Sequence, residues 1–432
     1  MSKEVDNPSK CSICGRPTHK ESEYCIFHAS AKEKTEEEFK KALKKYIEEI
    51  EKENKGYYFK DFIFIGHSDF TNNFFKNKYV SFWGATFEGD AKFPAAVFIG
   101  CSIFFASTFN GNVEFIGTDF QGYADFREVT FNGRANFYHA TFEGDAYFEK
   151  TTFKRYADFT KVNFLKLNDF MGATFEEGIC FDNATLSQGE KLILKGKNRG
   201  NITFKHAFLE NVFLRLDLDD GVLVDFSDAL IRNTKIKKEN IEKHILQEKN
   251  KSFDEAKEIY LLLKNNFHNI GRYEDESWAF KKEKDMERKN DFHFKTLHKW
   301  LWSCFLNLIY GYGEKPERVF LTAVSIILIF ACVFMNCGIV SPLEDDLPKY
   351  NILKELSMGI LYGDLLNKCK VIPREQVVKS LYFSTVTFTT LGLGDFKPVD
   401  NKGRIYVGLE ALIGAFIMAI FVYTFARRTG GR

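Results

Sequence analysis

The sequence predicts a multidomain protein: a small metal knuckle, a β-solenoid, a helical linker and an all-α membrane domain with two spans and a re-entrant helix. Three observations carry this. Phenylalanine recurs in alternating steps of five and six from Phe82 to Phe181. Two long apolar segments lie near the C-terminus, and two Cys/His pairs lie near the N-terminus.

At 432 residues the chain is long enough for two or three domains. Its net charge of +1 lacks the basic excess of a nucleic-acid binder, and none is expected as a partner. Nine scattered cysteines make no disulfide framework. The opening 60 residues are highly charged rather than basic-then-apolar, so the N-terminus is expected to stay in the cytoplasm.

Residues 1–30 hold Cys11-x-x-Cys14 and Cys25-x-x-His28. Two such pairs can present four ligands to one tetrahedral zinc, and Gly15 with Pro17 suits the tight turn between them. Structural Zn²⁺ is the expected cofactor; His19 could substitute as a ligand but reads first as a surface histidine. The segment resembles a small zinc-ribbon knuckle. Residues 31–56 place Phe39, Leu43, Tyr46 and Ile50 at helical spacing among lysines and glutamates, which predicts one charged amphipathic helix.

The phenylalanine rhythm cannot belong to a helix, because a spacing of five and a half walks around the axis. It suits a coiled backbone in which each short side sends one large residue inward. A small or β-branched residue stands two places before most of the phenylalanines, as at Ala91, Ala124, Ala135 and Ala157. The pattern resembles the pentapeptide-repeat family over residues 57–231. The resemblance implies a right-handed, roughly four-sided β-solenoid with a stacked Phe or Leu core. Strict pentapeptides step by five, so the extra residue is expected at alternate corners, and the cross-section stays open. The rhythm breaks after Leu186 and resumes in fives around Leu209, Leu214 and Val224. Some family members mimic DNA through acidic faces. Here Lys, Arg, Asp and Glu alternate, so a regulatory or scaffold role toward a cytoplasmic protein partner is the better expectation.

Residues 232–297 read as a helical hairpin turning at Gly271-Arg272, a coupling element or a plain connector. Residues 298–313, with Trp300 and Trp302, are too short to cross a bilayer and read as an interfacial helix.

The membrane domain takes residues 314–432. Residues 319–340 carry no charge and would extend about 33 Å as a helix, enough to span. Residues 404–426 form the second span, with Glu410 as the one internal acid. Lys315 and Arg318 flank the first, and Arg427 and Arg428 end the second. That placement puts both termini in the cytoplasm of a multi-pass cell-membrane protein. Cys337 and Cys369 would then face outside, either as a disulfide or as two thiols.

Between the spans, residues 377–389 are apolar and too short to cross, so they are read as a re-entrant helix that includes Thr387. Thr390-Leu391-Gly392-Leu393-Gly394-Asp395 follows at once. Alternating glycines let successive backbone carbonyls aim one way, which is how an ion filter is built. A helix entering from outside points its negative end at the membrane centre and favours a cation there.

This stretch resembles the signature of the two-transmembrane prokaryotic potassium channels. The resemblance implies that Thr390, Leu391, Gly392 and Leu393 line carbonyl sites for K⁺, while Asp395 braces the outer end. Gly414 would be a gating hinge or a close packing contact. Glu410 would bond behind the filter or reach the outer interface. Leu391 and Leu393 depart from the family's Val and Tyr. Leu393 lacks the hydroxyl that such a Tyr directs behind the filter, which bears on K⁺ over Na⁺.

The expected function is passive potassium conduction by a homotetramer in the lipid bilayer, since one chain gives one filter strand. Two alternatives are a weakly selective channel for monovalent cations and a membrane-anchored scaffold with a non-conducting pore. No nucleophile–base set, phosphate loop or catalytic metal spacing points to an enzyme.

Overall fold

The computed structural model describes residues 9–75, 79–186, 191–196, 200–290, 297–313, 315–340 and 374–430. They fall into two compact units, residues 1–287 and 288–432. Residues 341–373 lie outside the described residues, and with them Cys369 and any pairing to Cys337.

In the first unit, thirty strands among the described residues run from β1 (Tyr57–Tyr58) to β30 (Leu230–Arg232), and each pairs in parallel with the strand one coil away. Thr108 pairs with Thr130 and Thr130 with Thr152, so a coil is 22 residues with four Phe-bearing sides. Parallel pairing sets coils about 4.8 Å apart. Identical rings are therefore forced face to face. Phe126 lies 4.8 Å from Phe104 and 4.9 Å from Phe148, with interplanar angles of 3° and 2°. Rings from adjacent sides meet edge-on, as Phe126 does Phe115 at 82°. The edge-on contacts suit the aromatic quadrupole, while the stacked ones are set by the coil spacing.

The two step lengths use two kinds of corner. Five-residue steps turn through a left-handed residue, such as Glu128, His139, Lys150 and Lys161. Six-residue steps bend where backbones from successive coils touch. A Cβ on Gly133 would lie 2.2 Å from the carbonyl oxygen of Gly111, and one on Gly144 would lie 2.3 Å from that of Gly122. The extra residue thus sits at alternate corners; Gly111, Gly122, Gly133 and Gly144 let the backbones approach closely there, while Arg155 and Lys166 take the same corners one coil farther on.

The last coils depart from the expected fives. β25 (Lys191–Gly196) and β28 (Phe213–Leu218) are straight six-residue strands in full register with each other. Leu192, Leu194, Leu214 and Leu216 point inward and alternate with exposed or half-buried residues. Period-two alternation with no corner residue keeps a strand straight, so two short sides merge into one.

Both ends of the solenoid are covered, as an exposed coil edge requires. Helix α1 (Glu36–Glu53) starts in a capping box between Thr35 and Glu38 and stops at left-handed Asn54. It packs Phe39 edge-on to Phe64. At the other end follow α2 (Leu246–Lys249), α3 (Phe253–Asn269) and α4 (Tyr273–Asn290). The buried Asn266 amide of α3 exchanges hydrogen bonds with the Thr234 backbone at 2.9 and 2.8 Å.

In the second unit, α5 (Leu297–Tyr310) precedes α6 (Pro316–Cys337), α7 (Arg374–Phe388) and α8 (Asn401–Gly430). The first apolar helix starts ahead of Val319 because Pro316 suits the first helical position and Glu317 its positive end. α6 and residues Asn401–Ala426 of α8 are long and apolar enough to cross a membrane. Phe320, Leu321, Ile329, Leu412 and Val422 are exposed.

Candidate functional site

α7 ends at Phe388, and the backbone then alternates in sign. Thr390, Gly392 and Gly394 have φ of 56°, 53° and 76°, while Leu391 and Leu393 between them do not enter the left-handed region. Such alternation turns successive peptide units, and two of its three left-handed positions are glycines that bear it without strain. A Cβ on either glycine would meet nothing within 4 Å. Leu391 and Leu393 are exposed. The Thr390 hydroxyl donates to the Thr389 carbonyl at 2.7 Å. Thr387 is buried on the last turn of α7, and its carbonyl accepts from Thr390 N–H at 3.0 Å.

One side-chain bond and one strand pair fasten this segment. The Tyr382 hydroxyl donates to Asp395 Oδ2 at 2.6 Å. Farther along, Ile339 and Val340 (β31) pair antiparallel with Lys397 and Pro398 (β32), joining the end of α6 to the segment after Asp395.

Behind α7, Glu410 of α8 is fully buried and bonded to the Ser384 hydroxyl, which also lies 2.9 Å from the Ile327 carbonyl of α6. One polar cluster thus joins all three helices. The second Glu410 oxygen has no hydrogen-bond partner among the described residues. Gly414, one turn on, faces Phe388 so closely that a Cβ would lie 2.0 Å from the Phe388 carbonyl oxygen. Of the two readings of Gly414, close packing is the one with a contact behind it.

In the first unit, Cys11, Cys14, Cys25 and His28 converge, with all four ligand atoms within 4.8 Å of one another. Cys25 Sγ lies 3.1 Å from His28 Nδ1, Cys11 Sγ lies 3.6 Å from it, and the Sγ atoms of Cys14 and Cys25 are 3.5 Å apart. A tetrahedral ion bound at about 2.0–2.3 Å would space its ligands by about 3.5 Å, so the four can hold one metal. His28 Nε2 lies 3.0 Å from the Lys60 carbonyl oxygen and fits donation to it, which leaves Nδ1 for the ion. His19 is not in the cluster.

Residues 355–430 match the ion-channel family. Residues 93–141 and 128–170 match the pentapeptide repeats. The chain is an ion-channel domain fused to a pentapeptide-repeat domain. No curated protein and no solved structure matches the chain. The channel domain makes it a membrane protein.

Within the channel domain, sequence reasoning missed Ser384 and Tyr382. Both read as ordinary members of an apolar helix. No spacing in the sequence signals either contact: Ser384 stands 26 residues before Glu410, and Tyr382 stands 13 before Asp395. In the pentapeptide-repeat domain, the missed feature is Lys34. Its ammonium is buried and donates to the Ile26 and Ile63 carbonyls at 2.8 and 2.7 Å, tying the metal knuckle to the first coil.

Proposed function

We propose that four copies of the channel domain form one pore that conducts potassium passively through residues 390–395. The alternating left-handed backbone at Thr390, Gly392 and Gly394, directly after a helix that lies between two apolar helices, carries this reading. In it, the carbonyls of Thr390, Leu391, Gly392 and Leu393 replace water around the ion. Asp395 braces the outer end through Tyr382, and Glu410 with Ser384 holds the pore helix from behind. Gly414 sets the distance between α8 and that helix.

Both termini lie in the cytoplasm of the cell membrane in this reading. The pentapeptide-repeat domain then acts there as a regulatory scaffold, and the knuckle holds a structural Zn²⁺ through Cys11, Cys14, Cys25 and His28. Neither matched family is enzymatic in general.

Reconstitution into a planar bilayer tests the pore. With K⁺ on one side and Na⁺ on the other, a selective filter gives a large reversal potential. A reversal at zero with measurable current favours the second reading, a weakly selective cation channel, which Leu393 motivates. No current under any ionic condition or stimulus, from verified tetramers, would sink both and leave a membrane-anchored scaffold.

A further inference from the structure

The C-terminal end of the solenoid holds a cavity of about 570 Å³ between β28, residues 235–240 and the turn from α3 to α4. Its size suits a small molecule. Four cations line it, Arg215, Lys235, Lys237 and Arg272, and no carboxylate does. The neighbouring cavity of about 560 Å³ is different, with Asp228, Glu255 and Glu258 beside Lys205. Concentrating one sign of charge in one concavity costs electrostatic energy unless an anion shares it.

The balance of charge defines that anion. Arg215 is held by Asp217 at 3.1 Å and Arg272 by Asp275 at 2.6 Å, so both guanidinium groups are already compensated. Lys235 and Lys237 are exposed and form no ion pair among the described residues. Two uncompensated ammonium groups match one phosphate monoester, which carries about −1.5 to −2 at pH 7. Phe213 and Ile270 supply an apolar wall for an organic portion. The Lys235 backbone donates to the Val212 carbonyl at 2.8 Å, so the first lysine is presented from a fixed strand.

We propose that this cavity binds a phosphate monoester of nucleotide size, with Lys235 and Lys237 as its principal partners. The ligand would bridge the last coil and the helical hairpin, whose second helix leads on in sequence to the channel domain. The proposal concerns binding alone and stands apart from the filter.

The test is calorimetric titration of the full-length protein in detergent. The probes are adenosine and uridine 5′-monophosphates, inorganic phosphate, and vesicles with or without phosphatidic acid. Saturable binding of a nucleotide, weakened at least tenfold by Lys235→Glu with Lys237→Glu and retained by the paired Arg substitutions, is the expected result. Binding of phosphatidic acid vesicles alone, lost in the same Glu variant, would assign the phosphate to a lipid headgroup. Lys40→Glu with Lys44→Glu, at a cavity beside α1, is expected to leave binding unchanged. The proposal is overturned if none of the probes binds, if the Lys235/Lys237 variant binds as the native protein does, or if the Lys40/Lys44 variant loses binding equally.

Discussion

The Tyr382 hydroxyl donates to Asp395 Oδ2 across 2.6 Å, tying the middle of α7 to the end of the segment that follows it. Leu393 offers no hydroxyl of its own to hold that segment. The tie comes instead from the helix, which is itself fixed by Ser384 to Glu410 and by Phe383 edge-on to Phe334 at 4.9 Å. The position of Asp395 therefore depends on contacts made to α6 and α8.

Removing that hydroxyl is the most direct challenge to the filter reading. Tyr382→Phe keeps the ring, which lies 5.9 Å from Phe396, and deletes one charge-assisted hydrogen bond. Losing that bond should shift the segment toward a less ordered form. The bi-ionic reversal potential should move toward zero while the amount of assembled protein is unchanged. A reversal potential equal to the native one would show that the tie does not shape selectivity.

Gly414 gives a prediction of different kind. Its neighbour is the backbone of Phe388, which cannot rotate away as a side chain can. Gly414→Ala must push α8 from the end of α7, at a cost of about 1–3 kcal/mol. Current per assembled channel should fall severalfold or more. Gly408, with open space around it, is the control, and Gly408→Ala should conduct like the native chain.

Much of this was legible from spacing alone. The solenoid, the Cys/His cluster and the two apolar helices each follow from a period or a motif. Contacts between elements of no fixed sequence distance were not legible. Ser384 meets Glu410 only because α7 and α8 pack at that height, and Tyr382 meets Asp395 only because the backbone reverses after Phe388. The straight strands β25 and β28 were hidden for another reason: the five-six rhythm masks a short period-two run such as Leu192-x-Leu194.

Metal removal tests the knuckle. Phe27 stacks on Phe62 at 4.5 Å, the Ile63 N–H donates to the Phe27 carbonyl at 2.8 Å, and His28 bonds the Lys60 backbone, so the knuckle and first coil share one core. A chelator strong enough to strip zinc should raise amide exchange across residues 9–65, with coils beyond residue 104 protected as before. Cys25→Ser should reproduce the effect without chelator. Unchanged exchange in both would mean that the cluster holds no metal of structural weight.

The pH dependence of the solenoid's far end follows from Asp225. Burial pushes its carboxyl up, but bonds from Ser227 and Gln247 and the Lys205 ammonium 3.3 Å away outweigh that and hold it below the usual range. A carboxylate with a lowered folded pKa stabilises fully above its unfolded value near 3.9 and loses that contribution as pH falls through the folded one. Asp225→Asn should cost about 1–3 kcal/mol at pH 7 and little once the native carboxyl is protonated. Thermal melts of both proteins from pH 7 down to pH 2 should therefore converge at the acid end. A constant gap would show that the side chain acts through shape rather than charge.

The two kinds of solenoid corner predict opposite tolerances at glycines five residues apart. Gly117 sits at a left-handed corner with open space for a Cβ, and its counterparts one and two coils on are His139 and Lys161. Gly117→Asn should cost under about 1 kcal/mol, since asparagine bears that conformation. Gly122 sits at a touching corner, where a Cβ would lie 2.4 Å from the Gly100 carbonyl oxygen and 2.5 Å from its carbon. Gly122→Ala requires the two coils to shift locally, beside rings stacked at 5.1 Å between Phe98 and Phe120, although Lys166 holds the same corner two coils on. A cost of about 2–3 kcal/mol is expected. In a solenoid such a defect is felt first by its nearest neighbours, so protease sensitivity should appear around residues 98–124 before the global melt. Equal stability of the two variants would refute the assignment of the extra residue to the touching corners.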